Sequence, residues 1–236
     1  SSLGSFNWCP KKYEFSYIEK LPQDQTEAMR KGTILHNHRE AFFDEFDIKK
    51  ADSMNNSEIM EYATSLMPVD EFLPIINERM FDCELTIPRN TNPKFPLQRD
   101  YVVRLQGIID RVFIENGKLI PFEYKTGGWK DWKKTSMRQE MAFYQLMLEN
   151  APEEILAKHG LTSDLEVSHW GWYYPVANHI TVEPVNKRTR TSVMNNIAKL
   201  IHSYEQKHFE TKFYYKTCSH CSYFGICDAA NEDTWL

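Results

Sequence analysis

Asp110 and Glu123 stand at mirror-image positions about the dipeptide Asn116-Gly117, and this spacing constrains the chain more than any other feature. Asn-Gly between apolar-rich runs is a strong hairpin signal, because a type I′ turn needs positive φ at both central residues. Val102 to Glu115 therefore reads as a strand and Lys118 to Lys125 as the strand that returns. With a two-residue turn Glu115 faces Lys118, and stepping back from the turn places Asp110 directly opposite Glu123. Lys125 lies two residues beyond Glu123 and shares its face. Directly opposed side chains have Cβ atoms about 4.5–5.5 Å apart, where like charges are destabilising. Two carboxylates set among Ile108, Ile109, Val112 and Phe122 call for a compensating charge, and a divalent cation supplies one. An ordinary solvated strand face is the other reading of the same side chains.

The segments Gly107-Ile-Ile-Asp110-Arg-Val and Phe122-Glu123-Tyr-Lys125-Thr-Gly resemble the catalytic hairpin of the PD-(D/E)XK nuclease superfamily. Within it they are similar to the RecB-like branch, usually spelled close to G-x-I-D-R-V and D-x-K-T-G. Glu123 stands where Asp is commoner, and Ile109 where the motif name has proline. The resemblance implies an α/β fold with a mixed central sheet flanked by helices. It also implies Mg²⁺ or Mn²⁺ on Asp110, Glu123 and the backbone carbonyl of Tyr124, with Lys125 positioning or activating the attacking water. The chemistry needs those types. Phosphodiester hydrolysis requires a nucleophile at neutral pH and charge neutralisation on phosphoryl oxygens, and a metal supplies both. Hard oxygen ligands favour Mg²⁺ or Mn²⁺ over zinc.

Two helical segments extend the resemblance. Gln25 to Phe46 has helical periodicity, and Gly32-Thr-Ile-Leu-His36 looks like the G-x-x-x-H signature, which implies His36 as a third metal ligand. His38 is rotated roughly 200° from His36 on a 3.6-residue helix and falls outside that site. Downstream, Ser136 reads as an N-cap, followed by the apolar stripe Met137, Met141, Tyr144 and Leu148. Arg138 to Tyr144 resembles the branch's Q-x-x-x-Y motif imperfectly. Tyr144 is expected at the site's rim, and the polar role is divided between Gln139 and Glu140. A capping box Ser136-x-x-Gln139 is a competing use of the Gln139 amide.

The cysteines carry a second signal. Cys218-Ser-His-Cys221 and Cys227 form C-x2-C-x5-C, Cys9 precedes a proline near the other end, and Cys83 sits in an expected strand. Four thiolates suit tetrahedral zinc as well as iron–sulfur chemistry, while an odd cysteine count without a signal peptide argues against disulfides. The Cys-Pro plus C-x2-C-x5-C arrangement resembles the iron–sulfur nucleases of the RecB-like family, including CRISPR-associated exonucleases and AddB-type helicase–nuclease subunits. That likeness implies a [4Fe–4S] cluster on Cys9, Cys218, Cys221 and Cys227, with Cys83 left as a buried thiol. Closing a loop from Cys9 to Cys218 would stabilise the fold by about 5 kcal/mol in the cross-link description.

With 236 residues and 42% apolar content the chain is long enough for one elaborated domain. Residues 1–24 and 211–236 are expected to bind the cluster, 25–80 to form a helical roof broken near Pro68 and Pro74, 81–185 the nuclease core, and 186–210 a long helix. Further strands are expected over Leu165–Tyr174 and His179–Val185. No run approaches the roughly 20 apolar residues of a membrane span, and reduced thiols point to a cytoplasmic setting. The net charge of −5 bears on association in general, whereas local charge bears on contact. Trp129, Lys130, Trp132, Lys133 and Lys134 interleave indoles and ammonium groups beside the hairpin and suit a single strand, or else form a solvated loop.

The function expected is a metal-dependent DNA exonuclease acting on single-stranded ends, in repair, recombination, CRISPR adaptation or viral replication, with a helicase or CRISPR-adaptation proteins as partners. An endonuclease on duplex or branched DNA, a non-catalytic DNA-end scaffold and a zinc-stapled binding protein are the alternatives.

Overall fold

A computed structural model of the chain describes residues 2–23, 75–125, 127–174, 177–214 and 218–228. Short helices α1 (Ser2–Trp8) and α2 (Pro10–Tyr13) lead into a π-helical turn, Glu14–Ile18. Strands β1 (Ile76–Ile87), β2 (Tyr101–Glu115) and β3 (Lys118–Tyr124) follow. A 3₁₀ turn over Asp131–Lys133 opens helix α3 (Lys134–Asn150), and a short α4 (Glu153–Lys158) precedes β4 (His169–Tyr174) and β5 (His179–Pro184). Helix α5 (Lys187–Gln206) and a 3₁₀ turn at Phe224–Ile226 complete the described elements.

The five strands form one sheet in the order β1-β2-β3-β4-β5. Asn116 (φ 51°) and Gly117 (φ 70°) both adopt positive φ, as a type I′ turn requires. The antiparallel β2–β3 register runs from Glu115↔Lys118 to Arg111↔Phe122, as the turn length predicts. Strand β4 pairs parallel to β3, with Phe122 opposite Gly171 and Glu123 opposite Trp172. Parallel neighbours need a crossover connection, and α3 lies in this one, packed on both strands. Strand β5 returns antiparallel along β4.

The chain divides into two compact units. The larger comprises residues 27–85 and 104–190. Its core is the covered face of β3 and β4 under α3, where Trp170, Trp172, Met137, Met141, Ala142 and Leu146 are fully buried. Gly171 in β4 has a steric reason: a Cβ there would fall 2.0 Å from the Phe122 ring. The smaller unit comprises residues 1–26, 86–103 and 191–236. Phe6, Tyr13 and Phe209 form its aromatic core with Leu200, and the Tyr13 and Tyr204 hydroxyls are hydrogen-bonded at 3.1 Å.

Several boundaries differ from the sequence reading. Helix α3 begins at Lys134, because the Asp131–Lys133 turn feeds directly into it. Ser136 is therefore inside the first turn, where its hydroxyl donates to the Lys133 carbonyl at 2.7 Å instead of capping. Residues 76–80 extend β1 and do not belong to a helical roof. Strand β4 starts at His169, preceded only by an isolated bridge between Val167 and Leu119. The helix expected over Gln25–Phe46, with His36 and His38, and the breaks near Pro68 and Pro74 lie outside the described residues.

Candidate active site

The hairpin delivers its polar side chains to one buried point. Asp110 and Glu123 lie one step beyond the Arg111↔Phe122 pair, and both are buried. The Tyr124 backbone N–H donates to Asp110 Oδ2 at 3.0 Å, tying the acid of β2 to the end of β3. Lys125 Nζ forms an ion pair with Glu123 Oε1. It also donates to Glu140 at 3.1 Å. From α3, the Tyr144 hydroxyl donates to Glu123 Oε2 at 2.7 Å. Asp110, Glu123, Lys125 and Tyr144, all singled out from sequence, are thus brought together.

The electrostatics follow from burial. Removal from water pushes Asp110 up to about 7, helped by the nearby Glu78 charge. Burial and then the Asp110 charge push Glu123 up to about 7 as well. Burial opposes the charge on Lys125, but the carboxylates of Glu123 and Glu140 outweigh it and raise its affinity for the proton. Tyr144 is also raised, by burial and then by Glu123, so it remains a hydrogen-bond donor. Two acids that resist ionisation beside a retained ammonium form a site that a divalent cation would complete, since an added positive charge favours both carboxylates in their ionised form. Asp110 and Glu123 are the described side chains suited to hold Mg²⁺ or Mn²⁺. Among the described residues, no group of three or more His, Cys, Asp or Glu side chains is placed to hold a metal ion.

Glu140 is an α3 side chain that reaches Lys125. Glu78 and Arg111 were not marked as site residues by the sequence. Arg111 is wholly buried behind Asp110, donating to the Asp110 carbonyl at 2.6 Å and lying 3.3 Å from Glu78 Oε1. Glu78 comes from β1 with a positive φ of 48°, a departure that no local sequence signal announces. Trp129 and Trp132 take different positions. Trp129 stacks on His179 with centroids 4.0 Å apart, while Trp132 is 75% exposed. Lys130 is exposed, Lys133 lies 5.2 Å from the Tyr174 ring, and Lys134 is 3.6 Å from Glu183.

In the smaller unit, Cys9, Cys218, Cys221 and Cys227 line a single pocket, walled by Trp8, Phe15 and Phe213 and bordered by Lys11, Lys12 and Lys212. Cys218 and Cys221 sit on one turn, closed by a 2.9 Å bond from the Cys221 N–H to the Cys218 carbonyl. The four thiols share apolar walls with adjacent ammonium groups, but as they stand they are not placed to hold a metal ion together. Cys83 lies apart, buried in β1, with burial pushing its thiol up to about 11. No helix among the described residues is long and apolar enough to cross a membrane.

Comparison with known proteins speaks to family and fold. The family model for the PD-(D/E)XK nuclease superfamily matches residues 1–228. The solved structure "Crystal structure of SSO0001" is similar with a TM-score of 0.52 and 14% identity, covering 97% of this chain and 85% of that chain. At that identity the likeness speaks for the fold alone. No curated protein matches the sequence.

Proposed function

Because the chain belongs to the PD-(D/E)XK nuclease superfamily, we propose that it is a Mg²⁺- or Mn²⁺-dependent deoxyribonuclease of the RecB-like branch that degrades single-stranded DNA from an end. The observation that carries this reading is the buried convergence of Asp110, Glu123 and Lys125 around the Tyr124 N–H. A bound metal would supply a water of lowered pKa and neutralise charge on the scissile phosphate. Asp110 and Glu123 would hold that metal, with His36 as the expected further ligand from the sequence. The chain's own groups then divide the remaining work. The Tyr124 N–H orients Asp110, and the Tyr144 hydroxyl orients Glu123. Glu140 accepts a second bond from Lys125 and steadies it. Lys125, held as an ammonium, orients the attacking water or an oxygen of the phosphate and offsets its charge.

We also assign Cys9, Cys218, Cys221 and Cys227 to a [4Fe–4S] cluster with a structural task in the smaller unit. The shared pocket supports this assignment. The nuclease reading is tested by incubating end-labelled single-stranded DNA with Mg²⁺ or Mn²⁺ beside the Lys125→Ala variant. Metal-dependent shortening from one end, absent in the variant, is expected. Internal cutting of circular DNA would replace the exonuclease assignment with an endonuclease, and binding without cleavage would replace it with a scaffold.

A further inference from the structure

We propose that Trp132 is a base-stacking platform for single-stranded nucleic acid beside the Asp110–Glu123–Lys125 site, and that Trp129 is the peg that fixes it in place. The proposal rests on the nuclease reading and narrows its substrate. Two tryptophans three residues apart behave in opposite ways. The Trp129 ring lies nearly parallel to His179, at 4.0 Å and 9°, and meets the Tyr174 ring at 5.1 Å. Its indole N–H donates to Asp131 Oδ1 at 3.1 Å. A ring already committed to His179 and Tyr174 fixes the loop and is poorly placed to receive a base.

Trp132 lies on the Asp131–Lys133 turn and is 75% exposed. The segment that carries it is pinned at several points. The Lys133 N–H bonds the Lys130 carbonyl at 2.9 Å, the Lys133 ammonium bonds the Gly128 carbonyl, and Ser136 bonds the Lys133 carbonyl. An outward indole on a fastened turn is preorganised, so little ordering entropy opposes its use in binding.

The charge around it selects the occupant. Lys133 Nζ lies 5.7 Å from the Trp132 ring and 5.2 Å from the Tyr174 ring, and Lys130 is exposed beside it. The Lys125 backbone N–H donates to the carbonyl of Tyr173, the residue before Tyr174, at 2.9 Å, which places this edge next to the site. Lys134 is engaged with Glu183. An apolar ring face flanked by ammonium groups matches a base stacked on the indole with its phosphates alongside. A duplex keeps its base faces stacked internally, so only an unpaired base can use the ring.

The test compares a short fluorescein-labelled oligothymidylate with a labelled, covalently closed circular duplex, binding each to protein carrying Lys125→Ala so that neither is cut. Adding Trp132→Ala is expected to weaken oligothymidylate binding roughly 5- to 150-fold, the range of one base–aromatic stack. Duplex binding should stay unchanged and Trp132→Phe should recover most of the loss. An unchanged melting temperature confirms that the variant is folded. Equal oligothymidylate affinity with and without Trp132, or an equal loss on both probes, would overturn the stacking role alone. Failure of the Lys125→Ala parent to bind either probe, together with no cleavage by the unsubstituted chain, would overturn the nuclease reading and this inference with it.

Discussion

The Tyr144 hydroxyl donates to Glu123 Oε2 at 2.7 Å, so the helix that follows the hairpin reaches back to hold one of its acids. Glu123 receives Lys125 on its other oxygen. Both oxygens of a buried carboxylate are thereby engaged from known directions, one from α3 and one from the end of β3. Partners of this kind orient a ligating carboxylate, and their removal typically costs about 10–100-fold in metal affinity or activity.

Tyr144→Phe removes the hydroxyl and keeps the ring. It should lower cleavage within that range of about 10–100-fold and shift the Mg²⁺ requirement upward. A metal titration of initial cleavage rates checks this. A titration curve superimposable on the parent's would show that the hydroxyl does not position Glu123 for metal.

Glu140→Gln tests the second tie on α3. The neutral amide retains the shape but loses the ion pair to Lys125. Cleavage at saturating metal should fall about tenfold or more, because a buried charge loses a partner. Gln139→Ala should cost less, since the 3.1 Å contact with Lys125 belongs to its neighbour. The reverse order of effects would return the polar role to Gln139.

The hairpin was readable because its information is local. Asn116-Gly117 sets the turn, the turn sets the register, and the register brings Asp110 to Glu123. The start of α3 is hard to read locally because Ser136 has the chemistry of a cap, yet the Asp131–Lys133 turn already aligns the preceding backbone. Glu78 was invisible for a different reason. It reaches Arg111 from another strand, through a backbone conformation that Glu rarely takes, and nothing adjacent to it in sequence encodes that meeting. Trp129 and Trp132 looked equivalent in sequence, and only the placement of His179 and Tyr174 separates them.

The raised acids predict an unusual pH dependence for protein treated with a chelator. Unfolded Asp and Glu release their protons near about 4, whereas buried Asp110 and Glu123 retain theirs to about 7. Between those values the native state binds more protons than the unfolded state, so their contribution to stability declines as pH rises. That contribution is complete below about 4 and absent above about 7. Thermal melts of Asp110→Asn/Glu123→Gln and parent protein, both metal-free, should therefore diverge on going from pH 5 to pH 8, with the parent losing more. Added Mg²⁺ should restore the parent most strongly at the alkaline end. Parallel melting curves across the window would remove these two acids as its cause.

Cys221→Ala tests the assignment in the smaller unit. Cys9, Cys218 and Cys227 would remain around the pocket with one thiolate fewer. Anaerobically purified variant should lose bound iron and visible absorption and melt earlier, the full cross-link being worth about 5 kcal/mol. Zinc in place of iron in the parent would keep the staple and change the cofactor. An unchanged melt in the variant would reject the staple.

Gly171→Ala probes how tightly the hairpin is set against β4. Its new methyl carbon would fall 2.0 Å from Phe122, the residue next to Glu123, and backbone pairing of Phe122 with Gly171 leaves little room to yield. Overpacking of this kind costs roughly 1–3 kcal/mol. Because the intruding contact is with a ring in the same strand as Glu123, cleavage should fall along with the melting temperature. Adding Phe122→Leu should relieve both, and the double variant should be more stable than the sum of the single effects by a measurable coupling energy. Additive losses in denaturant melts would mean that Phe122 is not what excludes a side chain at position 171, and recovery of stability without cleavage would separate packing at this pair from the placement of Glu123.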